Sequence, residues 1–160
     1  MIRWILFFLP VALFATEEVP ITVEHAVTLQ EVKRGLMHRD HLPDNHGMLF
    51  HYNRPGVYRF WMFNCLIPLS AVFLDQNGVV LSVQDLDAHP ELYREIADLN
   101  HLDMNDPAVK TFLAESITSP ANTQYVLEMS GDWVNKHGIQ PGDRVVWTYP
   151  SPRAKVILRK

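Results

Sequence analysis

Arg34, Trp61 and Asn64 are the residues whose types offer directional chemistry inside otherwise apolar stretches. Arg34 opens the run Arg-Gly-Leu-Met at 34–37, and Asn64 closes the run Phe-Trp-Met-Phe-Asn at 60–64. Arginine and asparagine can each make several directed hydrogen bonds. Trp61 adds a broad ring with one N–H donor, a surface on which a sugar can stack when it is exposed. These three are the candidate ligand contacts. A local use competes with that role and outweighs it: Arg34 can bond the last carbonyls of a short helix, and Asn64 can satisfy backbone groups where a strand stops. Trp61 and Trp133 also suit a core.

Other reactive side chains have simpler explanations. His38, His41, His46 and His51 lie close together, and imidazole suits zinc or copper. Pro43 interrupts any helix between them, so a polar loop is the preferred account. Met37, Met48 and Met62 offer soft thioethers for Cu(I), yet Met also fills irregular gaps in a core rich in Phe and Trp, and that use is preferred. Cys65 is the lone cysteine. As a nucleophile it needs a positioned base and a depressed pKa, and the sequence shows neither. Phosphate-cradling glycine loops, a serine elbow and paired-cysteine motifs are absent from the sequence. The sequence therefore assigns no catalytic residue, no metal ligand and no cofactor.

The elements that must position these residues are short and punctuated by turns. Asn-Gly at 77–78 joins apolar runs at 71–74 and 79–83, the strongest hairpin signal in the chain. Pro-Gly at 55–56 fits a type II turn and predicts a second hairpin, pairing 47–52 with 57–63. Pro-Gly at 141–142 leads into a strand at 144–149, with further strands at 21–24, 125–129 and 154–158. Thr28 and Glu31 form a capping box opening a helix that stops near Gly35. Asp106-Pro107 opens another, with Val109, Phe112 and Leu113 on one face, and 131–138 predicts one or two turns closed by Gly138. Residues 91–99 read as helical too. The pattern predicts a mainly-β single domain, a β-sandwich or flattened barrel with a few short helices.

Arg3 followed by an apolar run to Ala15 reads as a secretory signal over 1–15, with the domain at 16–160. The run of about a dozen residues is short against the roughly 20 that span a bilayer, which leaves a retained inner-membrane anchor as the alternative. Cys65 has no partner for an internal disulfide, so stability must come from apolar burial, and 48% hydrophobic residues suffice for one core. A formal charge of −4 argues against a general nucleic-acid partner, which needs clustered positive charge. The basic tail at 153–160 reads as a solvated end strand.

Together the pieces resemble domain of unknown function family 192. The resemblance rests on Arg-Gly-Leu-Met at 34–37, Leu42-Pro43, Gly-Met-Leu-Phe at 47–50, Phe-Trp-Met at 60–62, Asn64 and Ile-Pro-Leu at 67–69. It continues through Asn77-Gly78, Tyr-Val-Leu-Glu at 125–128, Trp133, His-Gly-Ile at 137–139 and Pro-Gly-Asp at 141–143. It covers about 23–147 and implies a compact, often exported bacterial or archaeal β domain with no settled reaction. Cys65 stands where the family usually has Thr, Ser70 where it usually has Asp, and residues 87–120 form a longer, more helical insert. The reading that follows is an exported envelope domain, periplasmic or secreted. Its role is a non-catalytic binding module for an unknown small molecule, a glycan or an envelope protein partner. The alternative is a hydrolase-like enzyme using Arg34, Asn64 and a residue of the insert.

Overall fold

The computed structural model describes residues 16–95 and 99–159. The leader expected at 1–15 lies outside the described residues. Chain order is β1 (Glu17–Ala26), α1 (Leu29–Arg34), β2 (His46–Gly56), β3 (Arg59–Phe60), β4 (Leu69–Leu74) and β5 (Val80–Leu86). There follow α2 (Pro107–Ala114), β6 (Ile117–Thr118), β7 (Thr123–Ser130), α3 (Trp133–His137), β8 (Arg144–Trp147) and β9 (Arg153–Leu158).

Seven strands form one sheet in the order β5-β4-β7-β2-β1-β9-β8. Among the described strands only β1 and β2 run parallel, and α1 lies on the crossover that a parallel pair requires. The sheet curls until its edges meet. Val80 N–H donates to Asp143 O at 2.8 Å, Gly142 N–H to Val80 O at 2.9 Å and Val145 N–H to Gly78 O at 2.9 Å. Closure removes the exposed edge that an open sheet would present. The mainly-β, flattened-barrel expectation holds.

Strand alternation gives this sheet two cores. Inside the barrel lie Leu49, Val72, Leu74, Leu127 and Met129. On the outer face of the same strands lie Met48, Phe50, Ala71, Phe73 and Val126. Phe60, Met62, Phe63, Val109 and Phe112 cover that outer face, so β4 is buried at every position. Gly47 lets β2 and β7 approach: an added Cβ would fall 2.3 Å from Met129 Sδ and from the Glu128 carbonyl oxygen.

The hairpin on Asn77-Gly78 forms as expected, and Asp75 Oδ1 accepts from both Asn77 and Val79 N–H at 2.8 Å. The capping box at Thr28 and Glu31 is complete, and Asp106 caps α2.

Two expectations are corrected. Residues 47–52 do not pair with 57–63: β2 pairs with β1 and β7, and β3 pairs with β6. Phe60, Met62, Phe63 and Cys65 are all buried without alternating, because this stretch covers the outer core instead of entering the sheet. Asn64 then turns the chain at φ 54°. Of the helix expected at 91–99, residues 96–98 lie outside the described residues, and the described ends form 3-10 turns at Pro90–Leu92 and Leu99–His101. Arg94 cannot join a helix there, since Asn64 occupies both its N–H and its carbonyl.

Candidate functional site

The outer core does not fill completely. A cavity of about 390 Å³ opens between the end of α1, the outer face of β2 and β7, and the 58–65 and 99–102 segments. Its depth follows from small and missing side chains. On β7, Glu128 stands opposite Met48 of β2 and Ala71 of β4, and Ala71 leaves room beside it. Gly35 ends α1 with φ 47°, a backbone that disfavours any side chain, and its Cα faces the Phe50 ring.

Glu128 is the chemical centre of this cavity. Its residue is 7% exposed, and burial alone pushes its carboxyl up to about 8. Among the described residues no hydrogen bond or ion pair reaches that carboxyl. At neutral pH the group is therefore mainly the neutral acid, able to donate one hydrogen bond and accept others. Burial, and then Glu128, raise the Cys65 thiol and the Tyr52 hydroxyl as well. Cys65 is thus a small buried hydrophobe, held in its un-ionised and unreactive form. Tyr52 stacks on Tyr58 with ring centres 3.7 Å apart, a flat wall along one side.

Arg34 and Trp61 both line this cavity. Arg34 is exposed, and among the described residues its guanidinium has no carboxylate partner. Trp61 is half-buried and stacks on Phe63 at 5.0 Å. Asn64 is outside the lining. Its Nδ2 donates to Arg94 O at 2.7 Å and its Oδ1 accepts from Arg94 N–H at 2.9 Å. The amide thus pins the insert to the strand cover that forms part of the cavity wall.

Two further hollows flank the cavity. Arg34 also borders one of about 480 Å³ with Met37, Met48 and Glu24. Glu24 there takes both Arg39 nitrogens, at 2.5 and 2.7 Å, and His46 at 3.1 Å; the Arg39 bond is the main reason its carboxyl lies below the usual range. Trp61 also borders one of about 330 Å³ with Met62, Asp85 and Asp87. Met62 therefore does not share a hollow with Met37 and Met48.

The clustered histidines disperse. His41 bonds Asp40, His46 bonds Glu24, His38 packs on Tyr93, and His51 lies 2.9 Å from His25. Among the described residues no group of three His, Cys, Asp or Glu side chains is placed to hold a metal ion. Ser70 is fully buried, 2.6 Å from Asp85 Oδ1, its cross-strand neighbour. A carboxylate thus reaches that corner of the barrel from β5 in place of β4.

Glu128 is the residue that sequence reasoning passed over. Within Tyr-Val-Leu-Glu at 125–128 it falls on the alternate face from Leu127, which looks like the solvent side of a strand. The signal available was the apolar surplus on the neighbouring strands, where Met48, Phe50, Ala71 and Phe73 also occupy that face.

A curled, mainly-β barrel with a cavity on its outer face, covered by the 58–65 and 99–102 segments, is the class that fold and site define. The chain belongs to the family of uncharacterized ACR proteins, DUF192, whose pattern it matches over residues 12–147. No curated protein matches it. A crystal structure of a protein of unknown function from Novosphingobium aromaticivorans DSM 12444 is similar, with 29% identity and a TM-score of 0.60. The alignment covers 85% of this chain and 89% of that one. A second, from Sinorhizobium meliloti 1021 and described provisionally as a transcription regulator, has 28% identity and a TM-score of 0.58 over 81% and 92%.

Proposed function

We propose that this chain is an exported small-molecule binding module whose ligand enters the cavity above Glu128. The observation that carries the reading is the unpartnered carboxyl at the cavity floor. A carboxyl largely withdrawn from water and without a protein partner costs stability, and folded proteins keep such groups rarely. A fold that needed only a core would place Leu or Val there, as the inner face of the same strand does at Leu127. A ligand that hydrogen-bonds Glu128 explains why the acid stays.

Glu128→Leu tests this directly. The ligand-free variant is expected to be more stable than the parent by about 1–3 kcal/mol, because a desolvated carboxyl is replaced by a side chain suited to its surroundings. Compounds that raise the melting temperature of the parent should lose that effect on the variant. A variant that is instead less stable, and responds to the same compounds, would sink the reading.

An enzyme remains the second reading, favoured by one observation: an acid shifted to about 8 beside Tyr52 is the kind of group that transfers protons. Turnover of a bound compound that Glu128→Gln abolishes without loss of binding would establish it. Regulation of transcription, the description given to the S. meliloti protein, gains no support from a formal charge of −4. Export rests on the apolar run at 4–15. The expected result is a periplasmic or extracellular protein whose intact mass lacks residues 1–15; a cytoplasmic protein of full mass would contradict it. Among the described residues no helix is long and apolar enough to cross a membrane.

A further inference from the structure

The charges around the cavity are sorted by depth. Arg34 and Arg59 line its solvent side, both exposed, and neither has a carboxylate partner among the described residues. Lys33 stands beside them, its Nζ donating to Asn100 Oδ1 at 2.7 Å. Glu128 is the sole acidic side chain among the described lining residues, and it lies at the deep end. Between the two ends the walls are aromatic and aliphatic, with Tyr52, Phe60 and Trp61 among them. The volume of about 390 Å³ is near the small end of ligand pockets, which run from roughly 300 to 1,000 Å³.

We propose that the cavity takes a small aromatic carboxylate whose acid group pairs with Arg34 and Arg59 and whose far end carries an uncharged hydroxyl or carbonyl against Glu128. This rests on the small-molecule reading above and names the class of ligand.

Each part of such a molecule answers one part of the site. Planar guanidinium groups bind a carboxylate through paired N–H bonds, and two of them stand unclaimed at the mouth. Tyr52, Tyr58, Phe60 and Trp61 line the walls and give a ring aromatic surface to pack against. The neutral acid of Glu128 can both donate to and accept from a hydroxyl, so the far end needs no charge. A cationic ligand would have to pass Arg34, Arg59 and Lys33 to reach the acid. Phosphate sites are commonly built from backbone N–H groups of glycine loops or helix N-termini. Here α1 presents its C-terminal end to the cavity, so an anion there has to be held by the Arg34 and Arg59 side chains and not by backbone N–H groups.

Isothermal titration of the folded domain at pH 7 with three matched probes decides the matter. 4-Hydroxyphenylacetate carries all three features, tyramine exchanges the carboxylate for an ammonium, and 4-methylphenylacetate removes the hydroxyl. The first should bind roughly ten- to a hundredfold more tightly than either of the others, the scale of one charge-assisted or buried hydrogen bond. Arg34→Gln with Arg59→Gln should weaken 4-hydroxyphenylacetate by a similar factor and bring it level with tyramine. Tighter binding of tyramine would overturn the inference while leaving a small-molecule site in place. Silence from all three probes at millimolar concentration would also overturn it, and the Glu128→Leu melting comparison then judges the cavity reading separately.

Discussion

Inside the barrel, Leu49, Val72 and Leu127 are fully enclosed within an apolar cluster. On the reverse side of the same three strands, Glu128 sits between Met48 and Ala71 and faces a cavity. Both faces are covered. They differ in what covers them. The inner face packs against strands of its own sheet, whose spacing is fixed by hydrogen bonds. The outer face is roofed by irregular chain, from 58–65 and the insert, whose distance from the sheet is set by side chains such as Phe63 and Phe112. A roof held by side chains can stand off and leave room for a ligand. A wall held by ladder hydrogen bonds cannot.

The contrast can be broken most forcefully from the inside. Leu127→Ala should cost about 3–5 kcal/mol in denaturant unfolding, because the fixed strands cannot close the hole. A loss below about 1 kcal/mol would mean that the inner face is as adaptable as the outer one.

The pH dependence of stability separates the two faces next. The Glu128 pKa is raised in the folded state, so its contribution is complete below the ordinary Glu range and is lost as pH rises through about 8. Stability should fall by about 2 kcal/mol between pH 6.5 and 8, and Glu128→Gln should flatten that fall. His51 behaves oppositely. Burial first, and His25 second, depress it to about 4, so its contribution is complete above about 6.5 and lost as pH drops through 4. His51→Phe should remove the decline on the acid side and leave the alkaline fall unchanged. Identical curves for the parent and both variants would contradict both assignments.

Asn64→Ala is the gentlest probe of the roof. Loss of two bonds to Arg94 should cost about 1–2 kcal/mol, with faster amide exchange confined to the insert. Uniform acceleration across the barrel strands would show that the roof and the sheet unfold as one unit.

Much of the scaffold was legible in advance because its signals are local. Asn77-Gly78 makes its hairpin through backbone geometry that few other pairs adopt, and Thr28 with Glu31 closes a helix start within four residues. Pro55-Gly56 misled for the same reason. It carries turn chemistry, yet β2 runs through to Gly56, and the partners of β2 come from distant β1 and β7. Arg34 and Trp61 could be picked as polar or amphipathic members of apolar runs, whereas their sharing one cavity could not.

The sequence by itself determined the mainly-β class, the family, the Asn77-Gly78 hairpin and the helix caps, since each depends on residues near one another in the chain. Tertiary structure alone decided that both faces of β7 are covered. Glu128 alternates with Leu127 like any solvent-facing residue, and only chain from elsewhere, α1, the 58–65 segment and residues 99–102, folds over that face and buries it. Desolvation is a property of everything within a few ångströms, so the shift of Glu128 to about 8 is not encoded by its neighbours in the chain.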